Sequence, residues 1–243
     1  MVEQQAIRAG LARNLEEVRG RIAAACQRVG RDPQDVRLVA VTKSVSVALI
    51  RELIELGQTD LGENRPQQLA SRAAALPRPV TWHFIGHLQR NKVEMTLPIA
   101  HWIHSVDSLR LLDSLAAQAK KSGIIPRVLL EVNVSGEASK GGFSPDELAS
   151  AWDDIAGREF LSISGLMTMA PLAEDAESVR PVFRSLREFR DRLNERSSRG
   201  ESLTELSMGM SGDFEVAVEE GATMVRIGSR LFEGLSDNSA EPG

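Results

Sequence analysis

Lys43 is the residue whose type and position most invite chemistry. It closes the stretch 36–43 (VRLVAVTK), in which residues 38–41 form a short apolar run of strand-forming character. Only five of the 29 basic residues are lysines, and Lys43 alone ends such a run. An amine set above an apolar floor is disfavoured as the ammonium, so its pKa falls and the free amine becomes available as a nucleophile. The chemistry expected there is Schiff-base formation. The competing expectation, on this stretch alone, is a strand-end lysine reaching for water.

A second group lies near the other end of the chain. Met208-Gly209-Met210-Ser211-Gly212-Asp213 follows one predicted strand, and Arg226-Ile227-Gly228-Ser229 ends the next. Serine and glycine at the start of a helix offer a hydroxyl, exposed backbone N–H groups and the positive end of the helix dipole, which together suit a phosphate. Each serine taken alone could equally be a helix cap. A lysine facing a phosphate cradle implies a ligand that carries both an aldehyde and a phosphate. Pyridoxal 5′-phosphate (PLP) fits that description, and so does a phosphorylated sugar held by a lysine-dependent aldolase.

The elements that must position these residues alternate with regularity. Strands are expected at 36–42, 59–61, 80–85, 102–106, 127–134, 161–167, 203–207 and 223–227, each followed by a helical pattern. Ahead of them, Ile7, Leu11, Leu15, Val18, Ile22, Ala25 and Val29 form the stripe of an extra N-terminal helix over 3–29, stopped by Gly30. Eight βα units without a long linker predict an α/β fold, a single (β/α)8 barrel over 1–235, followed by a polar tail at 236–243 expected to be disordered. A doubly wound sheet is the alternative. In a barrel the functional face lies at the C-terminal ends of the strands. Read in order, those ends are Lys43, Asn64, His87, Asp107, Asn133, Thr168, Ser211 and Arg226 with Gly228-Ser229.

Composition narrows the field. A net charge of −5 and a pI near 5.5 argue against a nucleic-acid surface. No apolar stretch reaches membrane-spanning length, and the N-terminus lacks a signal-peptide pattern. The single cysteine, Cys26, falls on the apolar face of the first helix, where a buried inert thiol in a reducing cytoplasm is expected. His83 and His87 lack the carboxylate or cysteine cluster that would make a metal site, and His101 and His104 carry no constellation with them. The loop 135–142 reads as a lid over the mouth or as a flexible loop, with Lys140 as a solvated charge. No G-x-S-x-G or P-loop motif is present, so hydrolase and nucleotide-binding readings lack support.

The segments VAVTK at 39–43, GEN at 62–64, WHFIGHLQRNK at 82–92, VNVSGE at 132–137, GLMTM at 165–169 and LSMGMSGDF at 206–214 resemble the pyridoxal phosphate homeostasis protein family over residues 10–234. That resemblance implies a barrel similar to the N-terminal domain of alanine racemase, with PLP held as an imine on Lys43. It also implies that Ser211, Gly212, Gly228 and Ser229 hold the phosphate, that Arg226 lies near the pyridine nitrogen, and that Asn64 sits beside the ring. The implied role is buffering or delivery of PLP without an established reaction. The implied partners are PLP, amino acids and PLP-dependent apoenzymes, with the chain a cytoplasmic monomer. Arg65-Pro66 departs from the family pattern and leaves the start of the following helix open. The alternative is a racemase-like PLP enzyme of unknown substrate. Such enzymes pair the lysine with a tyrosine base and carry a second domain. This chain has no tyrosine and is expected to end just past its eighth βα unit.

Overall fold

In the computed structural model, residues 2–77, 79–137, 141–196 and 202–235 are described. The expected tail at 236–243 and Lys140 lie outside the described residues. Eight parallel strands close into a barrel in sequence order: β1 (Arg37–Val41), β2 (Asp60–Glu63), β3 (Thr81–Phe84), β4 (Trp102–Val106), β5 (Arg127–Glu131), β6 (Ser162–Met167), β7 (Glu205–Ser207) and β8 (Met224–Ile227). The doubly wound alternative is thereby excluded. Closure is made by β1 against β8, in register from Arg37 opposite Met224 to Ala40 opposite Ile227.

The helices are α1 (Val2–Arg28), α2 (Val47–Glu55), α3 (Pro66–Ala75), α4 (Val93–Thr96), α5 (Leu109–Ser122), α6 (Pro145–Ala156), α7 (Arg180–Arg196) and α8 (Phe214–Glu219). Their starts follow the local sequence. Ser46, Ser108 and Ser144 each accept a hydrogen bond from a backbone N–H of the first turn. Arg65-Pro66, open in the sequence, is resolved by Pro66 standing at the first helical position of α3, where its missing N–H costs nothing.

The main core lies between strands and helices, where alternate strand residues such as Leu38, Leu61, Phe84 and Leu206 are buried. The barrel interior holds a smaller apolar layer of Val39, Trp102, Leu129, Met167 and Met224. The stripe of α1 is buried from Leu11 to Ala25, whereas Val29 lies beyond the helix and is exposed. The helix packs on α2 and α8, so it straps the seam where β1 meets β8. Arg8 pairs with Glu52 of α2, and Arg21 and Arg28 pair with Glu215 and Glu219 of α8. Cys26 is fully buried under this strap, and burial pushes its thiol pKa up.

Candidate functional site

Lys43 lies two residues past β1, in a turn closed by the Val45 N–H donating to the Thr42 carbonyl at 3.1 Å. Arg72, buried on α3, donates to both carbonyls that flank the turn, Thr42 O at 2.7 Å and Val45 O at 2.8 Å. Glu63, fully buried at the end of β2, pairs with Arg72 and accepts from the Thr42 hydroxyl. Burial pushes the Glu63 carboxyl up, opposed by the Thr42 hydroxyl and the Arg72 guanidinium. Its Oε2 is buried without a partner among the described residues. The turn is therefore pinned from below by an ionic clamp. Lys43 itself is exposed, and this corrects the expectation of a desolvated amine. Val41 and Ile85 do line the same cavity beneath it, but a side chain anchored two residues beyond the strand stands in the mouth rather than in the floor.

Across that cavity, whose volume is about 1080 Å³, stand Ser211 and Gly212 after β7 and Gly228 and Ser229 after β8. The Gly228 N–H donates to Ser211 Oγ at 3.3 Å, which draws the two turns together. Neither serine caps a helix. The N-cap of α8 is Asp213, and 228–235 forms turns, so the short helix expected after Ser229 is absent among the described residues. What these two turns present to the cavity is hydroxyls and backbone N–H groups more than a helix dipole. Asp213 Oδ1 accepts from the Met210 N–H at 2.6 Å and fixes the first turn. Gly209, at φ +91°, lets the chain leave β7 tightly, and a Cβ there would meet Ala217 Cβ at 2.6 Å.

Arg226 projects from β8 into the barrel and is 5% exposed. It donates to Ser207 Oγ at 2.6 Å and to Thr168 O at 3.0 Å, and it lines the cavity. Burial pushes its pKa down to about 10, against the pull of Asp213 and Glu131, so it remains a cation at neutral pH. Asn64 lines the same wall. The end of β3 comes so close behind it that a Cβ on Gly86 would collide with the Asn64 backbone.

Two other strand-end residues serve the loops. The Thr168 hydroxyl donates to Val132 O at 2.8 Å, and the Asn133 amide donates to Glu137 O at 2.8 Å; neither lines the cavity. Sequence reasoning named Asp107 among the strand ends and passed over Glu131. Glu131 is 9% exposed and lines the cavity, and burial and then Asp107 push its carboxyl up. Asp107 holds His87 at 2.9 Å. It also missed Arg72 and Glu63, whose signal was a lone arginine on the buried face of α3 and an acid ending an apolar strand. His104 carries a constellation after all: its ring is bonded to His83 and Ser207 inside the barrel.

The family description "Alanine racemase, N-terminal domain" matches residues 13–236. The chain is 44% identical over 219 residues to the pyridoxal phosphate homeostasis protein of Aquifex aeolicus, covering 90% of this chain and 95% of that one. It is 41% identical over 235 residues to the protein of the same name from Pseudomonas aeruginosa, covering 95% and 97%. Among solved structures, PipY of Synechococcus elongatus PCC7942 with PLP bound superposes with a TM-score of 0.80 at 34% identity, covering 91% of this chain and 99% of that one. A lysine and a glycine/serine cradle on one barrel mouth, together with these likenesses, place the chain in the pyridoxal phosphate homeostasis protein family, built on the alanine racemase N-terminal domain.

Proposed function

We propose that this protein binds PLP and acts in its homeostasis, holding the cofactor and releasing it to other proteins. The observation that carries the reading is the meeting of Lys43 with the turns 211–212 and 228–229 in one cavity. The residues fit the group. Ser211, Gly212, Gly228 and Ser229 offer hydroxyls and N–H groups to a phosphate, Val41 and Ile85 an apolar floor for a ring, and Lys43 an amine for an aldehyde. Asn64 and the cationic Arg226 border the same cavity, and of the two Arg226 is the one that would face the pyridine nitrogen on this reading. When bound, the cofactor supplies an aldehyde, which we infer is held covalently as an imine with Lys43 Nζ.

We infer carriage rather than turnover. The chain has no tyrosine to serve as the base of a racemase-like pair. Arginine presents only donors, so beside a pyridine nitrogen it favours the unprotonated ring, which is a poor electron sink. What remains for the chain's own groups is to bind and orient. We further place the protein in the cytoplasm as a monomer that exchanges PLP with amino acids and with PLP-dependent apoenzymes. Among the described residues no helix is long and apolar enough to cross a membrane.

The test is an absorption spectrum of the purified protein with added PLP. A visible imine band, trapped by borohydride as a mass increase on the peptide containing Lys43, is expected, and Lys43→Ala abolishes it with the fold retained. A full-stoichiometry adduct on another lysine overturns the assignment. A lysine-dependent aldolase gives no such band. Deuterium exchange at the α-carbon of added amino acids, at enzymatic rates, restores the racemase-like reading.

A further inference from the structure

We propose that Asp60, His83, His104 and Ser207 form one directed hydrogen-bond chain through the barrel interior that positions Arg226 at the mouth cavity. Strand alternation puts them there. His83 lies between Trp82 and Phe84, Ser207 between Leu206 and Met208, and Arg226 between Val225 and Ile227, and all of these flanking residues are buried in the outer core. The intervening side chains must therefore face inward. His83, His104 and Ser207 have no solvent exposure, and Asp60, at the start of β2, reaches the opposite end of the barrel with its side chain 25% exposed.

The contacts are continuous. His83 Nε2 meets Asp60 Oδ1 at 2.9 Å, His83 Nδ1 meets His104 Nε2 at 2.9 Å, and His104 Nδ1 meets Ser207 Oγ at 2.8 Å, which accepts from Arg226 at 2.6 Å. The two ends fix the direction, because a carboxylate only accepts and a guanidinium only donates. His83 then carries its proton on Nε2 and accepts on Nδ1. His104 likewise donates from Nε2 and accepts on Nδ1, so the Ser207 hydroxyl donates to His104 and leaves its oxygen for Arg226. Any other tautomer of His104 sets two lone pairs facing each other across the histidine pair. Burial holds both imidazoles neutral, and His104 is held so further by the positive Arg226 and Arg37.

The low end of the chain is seated against aromatic and charged neighbours. His83 stacks on Trp102 at 6.1 Å, Arg37 and Arg127 cover that indole, and Arg37 approaches Asp60 at 3.5 Å. Barrel interiors are ordinarily filled by branched aliphatic side chains, which need no partners. Here a polar column takes that place and ends on the one buried cation of the cavity wall among the described residues. Ser207 does not line the cavity, so it acts through Arg226 as a positioning residue.

Two readouts test this, and only the second rests on the PLP reading. In the ligand-free protein, nitrogen-15 shifts of the imidazoles are expected to show His83 and His104 as neutral Nε2–H tautomers. In Ser207→Ala the His104 Nδ1 resonance moves toward the value of an unbonded nitrogen. A His104 protonated on Nδ1, or one indifferent to Ser207→Ala, overturns the chain. In the PLP-loaded protein, Ser207→Ala is expected to weaken binding by about tenfold, the low end for loss of a hydrogen bond to a charged group, and to shift the visible band. Asp60→Asn, which keeps the shape at the remote end, is expected to act in the same direction and more weakly. Unchanged affinity and band in both variants, beside a normal wild-type band, overturn the positioning role. If the wild type gives no band, the PLP reading fails, and the histidine nitrogens still decide the chain.

Discussion

On the β1–β2 side of the mouth the turn carrying Lys43 is held by a buried ion pair reaching up from a neighbouring helix, whereas on the β7–β8 side the turns carrying Ser211 and Gly228 are held by a positive-φ glycine and hydrogen bonds made within and between the turns themselves. The first side uses Arg72 and Glu63 to grip two carbonyls from below. The second uses Gly209 at positive φ, Asp213 on the Met210 N–H, and one bond from Gly228 to Ser211. The difference fits the task we propose for each side. A lysine with four rotatable carbons needs a fixed root, and a side-chain clamp supplies it. The phosphate site we propose on the other side needs hydroxyls and N–H groups turned toward the cavity, and bonds kept within the turns leave Gly212 and Ser229 on its wall.

Breaking the clamp is expected to have the largest effect. Arg72→Met leaves Glu63 buried and unpaired, which costs about 3–5 kcal/mol and is read as a lower midpoint in denaturant. The double variant Arg72→Met with Glu63→Leu is expected to recover most of that stability, since a buried pair is replaced by apolar volume. It still forms the imine more slowly than wild type, because the Lys43 turn has lost its grip. Equal rates would show that the clamp serves stability alone.

The cradle is expected to behave in the opposite way. Ser211→Ala with Ser229→Ala weakens PLP by about 1.5–3 kcal/mol for each bond lost to the charged group, leaves pyridoxal nearly untouched, and hardly moves the denaturation midpoint. Equal weakening of both ligands in a titration would remove these serines from the phosphate site. Gly209→Ala comes next. It forces a Cβ toward Ala217 at positive φ and is expected to cost about 1–3 kcal/mol of folding stability, with PLP affinity falling alongside because the β7 turn shifts.

The smallest effect concerns Glu131, on the wall between the two sides. Burial, and then Asp107, raise its carboxyl pKa in the fold above the unfolded value, so the folded state binds the proton more readily. The penalty of ionising it is fully present above the raised pKa and disappears as the pH falls below the unfolded value. Glu131→Gln is therefore expected to raise the melting temperature at neutral pH, with the gain vanishing near pH 4. A gain that persists in acid would trace to packing instead.

The barrel, the strap helix and the residues of the mouth were legible in sequence because each leaves a local mark. Alternating periodicity marks the strands, a three- and four-residue stripe marks α1, and Lys43, Ser211 and Ser229 each follow a strand. Boundaries moved by one to three residues where a strand runs into its turn, as at 127–134, of which only Arg127–Glu131 is strand. The clamp and the interior column were not legible, because their members lie on different elements and meet only when these pack together. His104 and Ser207 touch across 103 positions of chain, and Arg72 reaches Thr42 from a different element. A polar residue set between two large apolar ones in a strand was the available hint, and it recurs at His83, Ser207 and Arg226. The exposure of Lys43 was misjudged for a related reason. The strand stops at Val41, and those two residues of turn carry the amine out of the floor.

The strapped seam between β1 and β8 has a consequence for how the protein is made. Lys43 follows the first strand to leave the ribosome and Gly228-Ser229 the last, yet they come to line one cavity only when that seam zips shut. Contacts between such distant parts of a chain form late, after the entropy of closing the loop has been met. A nascent or truncated chain lacking β8 has the amine without the glycine/serine turn across the cavity, so on the reading we propose full anchoring of the cofactor waits on a closed barrel. Capture of the ligand then reports completed synthesis. Held in the way we propose, the cofactor would bridge both ends of the fold as a staple; by binding the native state alone it would shift the folding equilibrium with the concentration of free cofactor.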